Sequence, residues 1–232
     1  MMDFETGGVP GTLVLVISLL THVLLISPVI YNLVLFFTNL SFFAWHPICC
    51  VTGVGFLIME AILSVSGEPT ITSRLTRTRR IDLHWLLNVL GLSCIVAGFS
   101  IVFINKENYN RNHITTPHAK LGLSAIIIAI IVCIGGILAK NTRWVYPTVR
   151  PLFIKVCHVC LGIIAAILLL ATVINGTYKS FWPGTDLGRN LVFASFVIGG
   201  FLVLIKPLLL TVRRGRSLFA PSTGPHTGPR NP

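Results

Sequence analysis

The sequence predicts an all-α membrane protein with six transmembrane helices. Of its 232 residues, 53% are hydrophobic and only 11% are charged, and the mean hydropathy is +0.83. The apolar residues form six runs, each long enough to supply the ~20 residues with which a helix crosses a bilayer. These numbers exclude a soluble fold, and we expect spans at residues 12–37, 42–65, 83–104, 118–139, 152–174 and 190–212.

The first run has the length of a retained helix rather than the features of a secretory signal. Its N-terminal flank carries Asp3 and Glu5 and no lysine or arginine, whereas a signal peptide begins with basic residues. We expect Pro28 to kink this helix without ending it, since neighbouring helices can satisfy the carbonyl that proline leaves free.

The second to fifth runs each carry one histidine near their N-terminal end. These are His46, His84, His118 and His158, separated by 38, 34 and 40 positions. An ionisable side chain inside a span usually has a function, and imidazole is the commonest protein ligand for metals. Because consecutive spans run in opposite directions, His46 and His118 should lie at one face and His84 and His158 at the other. A central four-helix bundle of helices 2 to 5 would then hold two b-type haems, each bound non-covalently between two imidazoles.

Each histidine taken singly has a structural alternative, which is a hydrogen bond inside the bundle. We expect that role for His22, which has no partner histidine at its depth, while His226 lies in the polar tail. The argument for metal ligation rests on the pattern of all four spanning histidines, which separate into two pairs on opposite faces. Glycines on the same helical faces would either make room for a flat macrocycle or permit close helix packing, and the sequence does not decide between these for Gly53, Gly91, Gly122 and Gly162.

Local signals mark the starts of the fourth and fifth helices. Thr116 precedes Pro117, which predicts a side-chain cap followed by proline at the first helical position. Pro151 predicts a similar start for the fifth helix. His118 should therefore lie in the first turn of its helix.

The six cysteines all fall inside the predicted spans, so we expect small apolar residues and no disulfide framework. They are Cys49, Cys50, Cys94, Cys133, Cys157 and Cys160. Covalent haem attachment requires Cys-x-x-Cys-His, whereas His158 lies inside the pair Cys157 and Cys160. A structural zinc site would need a fourth ligand that the sequence does not supply.

The basic residues indicate the orientation. Twelve of the 18 lysines and arginines lie on the side shared by the N-terminus, the loops after helices 2 and 4, and the C-terminus. By the positive-inside rule both termini are then cytoplasmic, and His84 and His158 belong to the cytoplasmic face. Topology and anionic lipid account for the basic excess, so we do not expect nucleic acid as a partner.

The sixth run is followed by a basic tail rich in proline and glycine. We divide the chain into a membrane domain at residues 1–212 and a cytoplasmic tail at 213–232, of which 222–232 should be disordered. Glu60 and Lys206 are charges inside spans, toward their cytoplasmic ends, and we expect them to pair or to snorkel. A proton relay is disfavoured because Glu60 is the one acid in the predicted spans.

With these features the chain resembles the cytochrome b561 family over helices 1 to 6. The resemblance rests on the four histidines and on four short sequence motifs, which are FAWHP at 43–47, MEA at 59–61, LHW at 83–85 and HAKLGL at 118–123. It implies two haems b and a transmembrane reductase that passes electrons from cytosolic ascorbate to monodehydroascorbate or ferric iron on the lumenal or extracellular side. It also implies a multi-pass protein of the endoplasmic reticulum or of vesicles, in contact with lipid, for which a homodimer is one arrangement to consider.

Charge and the resemblance together suggest where substrates bind. We expect the anionic donor to bind at basic residues on the cytoplasmic side, namely Arg77, Arg79, Arg80, Arg150 and Lys155. We expect the acceptor to bind on the opposite side near Arg111, His113 and Lys120.

Two other classes of function remain open at this point. A cytochrome b anchor subunit that exchanges electrons with quinone would keep the haems but act within a larger complex. A haem-free transporter would use the histidines to line a polar cavity, and it would favour inverted repeats or broken helices near the membrane midplane. A visible absorption spectrum separates the haem proteins from the haem-free one.

Overall fold

The structure, a computed structural model, describes residues 11–219, and this part of the chain contains six helices long and apolar enough to cross a membrane. They are α1 Gly11–Thr38, α2 Trp45–Val65, α3 Arg77–Asn108, α4 Pro117–Lys140, α5 Pro151–Gly176 and α6 Asp186–Phe219. The predicted all-α membrane fold is confirmed. The flanking Asp3 and Glu5, and the tail from residue 220 with His226, lie outside the described residues.

Helix α1 runs through Pro28 without a break, and the Asn32 side-chain amide donates a hydrogen bond of 2.8 Å to the Pro28 carbonyl. Helix α6 continues past the predicted end of its span at residue 212 and reaches Phe219. The polar residues after 212 therefore extend a helix, because the backbone can stay helical once its side chains reach water.

The starts of α3, α4 and α5 follow capping rules. The Thr116 hydroxyl accepts a hydrogen bond of 3.2 Å from the amide of Ala119, and proline occupies the first turn of both α4 and α5, as predicted. Thr76 caps α3 in the same way, from the amide of Arg79 at 3.4 Å. The helix therefore begins before residue 83, where the third span was predicted to start. The arginines before residue 83 look like a loop in the sequence, but they form the first turns of a capped helix.

Helix α2 is α-helical at Trp45–Val51 and Met59–Val65 and π-helical at Thr52–Ile58. The wider turn coincides with two glycines at helix contacts. A Cβ atom on Gly53 would lie 2.7 Å from the Gly91 carbonyl oxygen of α3, and one on Gly55 would lie 2.8 Å from the ring of Phe196 on α6. Gly53 and Gly91 thus permit close helix packing, and neither is a platform for a macrocycle.

The bundle of α2 to α5 is flanked by α1 and α6. Helix α1 packs on α2 and α6, and α6 packs in turn on α5 and α2. The core between them is apolar and includes the fully buried Leu25, Met59 and Phe196. Large apolar side chains also cover the outer surface, as at Ile134 and Phe201. An apolar exterior of this extent fits a lipid environment.

Candidate functional site: two histidine pairs

The four spanning histidines meet as two pairs of rings at opposite ends of the bundle. The ring centres of His46 on α2 and His118 on α4 lie 6.3 Å apart, with the ring planes at 88°. Those of His84 on α3 and His158 on α5 lie 6.4 Å apart, at 84°. The structure therefore brings together the same two pairs that helix direction pairs in the sequence.

The ring separation matches what a single metal ion between two imidazoles requires. A metal–imidazole bond is about 2.0 Å and a ring nitrogen lies about 1.2 Å from its ring centre, so two trans imidazoles place their centres roughly 6.4 Å apart. Edge-to-face ring pairs without a metal also have their centres about 4.5–7 Å apart. The spacing of each pair is therefore compatible with one iron atom, and the case for a metal rests on the ligand chemistry of the four histidines.

The number of protein ligands also restricts the kind of metal. Among residues 11–219, no three histidine, cysteine, aspartate or glutamate side chains converge on a point that could hold an ion, and the six cysteines are free thiols. A zinc site built from Cys157, His158 and Cys160 is thus not formed. Two imidazoles suffice only for a metal that brings its other ligands with it, as haem iron does.

A hydrogen bond at Nδ1 fixes the ring of two of the four histidines. His46 Nδ1 donates to the Gly98 carbonyl oxygen at 2.9 Å, and His84 Nδ1 donates to the Ala61 carbonyl oxygen at 2.8 Å. Because a carbonyl only accepts, the proton must sit on Nδ1, and Nε2 keeps the lone pair that binds metal. The Asn88 amide, 3.4 Å from His84 Nε2, makes its better bond at 2.7 Å to the His84 carbonyl.

The partner histidines have weaker support. The Nδ1 atoms of His118 and His158 are buried without a partner at good hydrogen-bond geometry, although the backbone of Thr172 interacts with the His118 ring and that of Val132 with the His158 ring. Glycines lie against both rings, since a Cβ on Gly176 would be 3.5 Å from His118 and one on Gly136 would be 3.2 Å from His158.

Sequence reasoning placed the relevant glycines at other positions. Of those considered, Gly122 and Gly162 both face the contact between α4 and α5, since a Cβ atom on Gly122 would lie 3.2 Å from Thr172 and one on Gly162 would lie 3.8 Å from Val132. The glycines at the histidine rings are Gly136 and Gly176. Each lies on the helix next to its histidine rather than on the same helix, which no spacing rule within one helix can reveal.

The surroundings of the His46–His118 pair are apolar and aromatic. A small cavity at this pair is lined by Phe36, Phe181 and Trp182. The ring centre of Phe43 lies 5.6 Å from that of His46. The cavity has a volume of about 40 Å³ and is also lined by Asn32 and Thr177, so it is not a preformed space for a macrocycle.

The predicted donor residues form two groups at the end of the bundle that holds His84 and His158. Arg77, Arg79 and Arg80 lie in the first turns of α3, and Arg80 Nε donates to the Leu75 carbonyl at 3.1 Å. Arg150 is the residue before α5 and lines a cavity of about 360 Å³. Lys155 follows on α5 and is exposed.

The predicted acceptor residues lie at the opposite end, around the connection from α3 to α4. His113 Nε2 contacts the Glu107 carboxylate at 2.6 Å, and its ring stacks on Phe103 with the centres 4.1 Å apart. The Arg111 guanidinium lies 6.0 Å from the Tyr109 ring centre, and Lys120 is exposed in the first turn of α4. Sequence reasoning missed Glu107 and Phe103, which carried no motif.

The charges inside the spans have definite partners. Glu60 pairs with His22, whose Nδ1 lies 2.8 Å from the carboxylate. Lys206 Nζ donates to the Gly67 carbonyl at 3.2 Å. The structural role expected for His22 thus takes the form of a hydrogen-bonded contact that ties α1 to α2.

Fold and site together define a multi-pass helical membrane protein with paired histidines at both ends of one bundle. Residues 45–183, which contain all four paired histidines, match the family model of eukaryotic cytochrome b561. The chain belongs to the cytochrome b561 family, and membership implies a b-type haem protein.

Individual relatives agree with this assignment. The chain is 29% identical over 197 residues to the mouse transmembrane reductase CYB561D2, with 82% of each chain covered. It is 30% identical over 171 residues to the human protein of that name, covering 72% of this chain and 75% of the relative. The mouse plasma membrane ascorbate-dependent reductase CYBRD1 is 26% identical over 179 residues, covering 71% of this chain and 61% of the relative.

Proposed function

We propose that the chain is a transmembrane reductase that takes electrons from cytosolic ascorbate and delivers them to monodehydroascorbate or a ferric chelate on the other side. The observation that carries this proposal is the presence of two histidine pairs, each wide enough for one iron, at opposite ends of one bundle. The names of the relatives support the reductase class and, for CYBRD1, the ascorbate donor. We place both termini in the cytoplasm and the protein in the endoplasmic reticulum or vesicle membrane.

The residues of the chain bind and orient two haems b, non-covalently. His84 and His158 would hold one on the cytoplasmic side, and His46 and His118 the other on the lumenal side. The Gly98 and Ala61 carbonyls fix the proton on Nδ1 and so present Nε2. Haem supplies one-electron chemistry through its iron when it is bound. The surrounding helices exclude water and ions from the path between the two pairs.

Basic residues on the cytoplasmic side attract the donor. Ascorbate is an anion near neutral pH, and Arg77 and Arg79 are exposed at the start of α3, one to two turns before His84. Arg150 and Lys155 supply a second basic group at the start of α5. Clustered charge of one sign raises the local concentration of an oppositely charged substrate.

The acceptor side offers a smaller basic group. Arg111 and Lys120 would attract an anionic ferric chelate or the ascorbate radical. His113 lies in the same connection, and its contact with Glu107 at 2.6 Å holds the ring in place beside the α3 terminus.

The test is a visible spectrum of the purified chain in detergent, before and after ascorbate is added. We expect two haems b per chain, both reduced by ascorbate. His84→Ala should remove the cytoplasmic-side haem and abolish rapid reduction, His118→Ala should remove the other haem, and the matched control His226→Ala should leave both.

Three results would contradict the proposal. A colourless protein favours the haem-free transporter, and a single haem per chain excludes the two-pair arrangement. Haems that quinol reduces and ascorbate does not reduce indicate the quinone-linked anchor subunit instead.

A further inference from the structure

A buried polar cluster, which the proposed electron path does not use, lies at the His84 end of the bundle. It consists of His22 on α1, Glu60 on α2 and Glu68 in the connection to α3. The side chains are 9%, 12% and 6% exposed, respectively. Charged groups at such depth in a membrane protein are expensive and usually functional.

Both nitrogens of the His22 ring face oxygen atoms. Nδ1 lies 2.8 Å from Glu60 Oε1, and Nε2 lies 3.2 Å from the Thr70 hydroxyl and 3.7 Å from Glu68 Oε2. A neutral imidazole has one N–H, whereas the protonated ring has two and can donate to both sides. The two carboxylates therefore provide a place for one additional proton.

Glu68 is the fixed negative charge of this cluster. Its carboxylate accepts hydrogen bonds from Ser18 at 3.1 Å, from the Thr72 amide at 2.6 Å and from the Thr70 hydroxyl. Burial alone would raise the pKa of Glu68. The hydrogen bonds from the hydroxyls and amides of Thr70 and Thr72 together have the larger effect and lower this pKa from 4.5 to about 2. Glu68 therefore stays ionised near neutral pH.

Two cations from the neighbouring helices lie beside Gly67, the residue before Glu68. A Cβ atom on Gly67 would lie 3.5 Å from Arg80 Nη1 on α3 and 3.7 Å from Lys206 Nζ on α6. Arg80 is one of the residues expected at the donor site. Arg80 and Lys206 thus lie between the cluster and the side from which the donor would approach.

The His22–Glu60 pair is also next to a histidine of the electron path. The Ala61 carbonyl, which accepts the hydrogen bond from His84 Nδ1 at 2.8 Å, belongs to the residue after Glu60. A unit charge placed on the pair acts on the His84–His158 pair through weakly polarisable surroundings, where electrostatic effects are strong.

We propose, on the basis of the function proposed above, that His22 and Glu60 form a proton-binding site that takes up one proton when the His84–His158 haem is reduced. The ascorbate monoanion gives up one electron and one proton and becomes the monodehydroascorbate radical anion. The bound haem would accept the electron, and the proton would convert the His22 imidazole to imidazolium. When the electron moves on, His22 releases the proton, so the net charge at this end stays constant.

The experiment is a spectroelectrochemical titration of the full chain with its haems, from about pH 5 to about pH 8, where imidazole commonly titrates. Proton uptake on reduction requires the midpoint potential of the His84–His158 haem to fall as pH rises. His22→Gln keeps a polar side chain that cannot titrate in this range, and Glu60→Gln removes the carboxylate. Both should flatten the slope while leaving the haem spectrum unchanged.

The chain contains a matched control in its second histidine–carboxylate pair, His113 with Glu107, which lies at the other end of the bundle. His113→Gln should leave the pH slope of the His84–His158 haem as it is in the unmodified protein. A purely structural role for His22 would lower thermal stability in His22→Gln without changing this slope.

The outcomes are distinct. A flat slope in the unmodified protein overturns the proposal without any variant. A slope that persists in both His22→Gln and Glu60→Gln also overturns it and assigns the proton to other groups. A chain that binds no haem refutes the proposed function itself, and this proposal with it.

Discussion

The Nδ1 nitrogen of His46 donates a hydrogen bond to the Gly98 carbonyl oxygen, 2.9 Å away on the neighbouring helix. The reverse contact, from His84 on α3 to Ala61 on α2, has a length of 2.8 Å. Each of the two helices therefore provides a histidine at one end and a supporting carbonyl at the other. Movement of α2 against α3 would disturb both rings at once, so the packing of these two helices controls both sites.

The first prediction concerns this packing at Gly98. A Cβ atom there would lie 2.8 Å from Cys50 Sγ and 3.0 Å from the His46 carbonyl oxygen. Gly98→Val should push α3 away from α2, at a cost of about 1–3 kcal/mol, and weaken the support of His46. We expect partial loss of the His46–His118 haem, measured as haem per chain. Full retention would show that the carbonyl contact is dispensable.

The second prediction uses two adjacent glycines of α4 as variant and control. A Cβ atom on Gly136 would lie 3.2 Å from His158, whereas one on Gly135 would meet nothing within 4 Å. Gly136→Val should displace the His158 ring and shift the midpoint potential of that haem, while Gly135→Val should not. Equal shifts in the two variants would mean that helix propensity, and not ring position, is responsible.

The six spans and the histidine pairing could be predicted from the sequence for physical reasons. Long apolar runs leave few alternatives to transmembrane helices, because the backbone must bond to itself in lipid. Helix direction then fixes which end each histidine occupies, so His46 pairs with His118 by topology alone. Thr116 and Pro117 marked the start of α4 because capping is local chemistry.

The remaining features depend on contacts between helices. The supporting acceptors at Gly98 and Ala61 are backbone carbonyls, which every residue has, so no residue type signals them. A charged side chain inside a span, such as Glu60, is expected to have a partner, but only the packing of α1 on α2 shows that this partner is His22. The early start of α3 was missed because arginine is common both in loops and at the ends of transmembrane helices.

The third prediction concerns a buried hydrogen bond at the His46 end of the bundle. Trp182 Nε1 donates to Asn32 Oδ1 at 3.0 Å, and both residues are buried. Trp182→Phe leaves the Asn32 oxygen unsatisfied and should lower the free energy of unfolding by about 1–3 kcal/mol. Trp144→Phe is the matched control, since Trp144 is 70% exposed. Thermal unfolding in detergent measures both variants, and similar melting temperatures would argue against a stabilising bond.

The fourth prediction is a pH dependence of stability that originates at Glu68. The Thr70 and Thr72 donors overcome the effect of burial and lower the pKa of Glu68 from 4.5 to about 2. A depressed carboxyl pKa stabilises the folded state above the unfolded pKa, and this stabilisation is lost as pH falls toward the folded pKa.

Glu68→Gln should therefore destabilise the protein near pH 7 by up to about 3 kcal/mol, the free energy that corresponds to this pKa shift. The difference in unfolding free energy between this variant and the unmodified chain should shrink between about pH 4.5 and about pH 2, because the unmodified carboxylate becomes protonated there. Glu107→Gln is the control, since that side chain is 62% exposed and should contribute little at any pH. A gap between Glu68→Gln and the unmodified chain that stays constant from neutral to acid pH would show that the carboxylate charge is not what stabilises this loop.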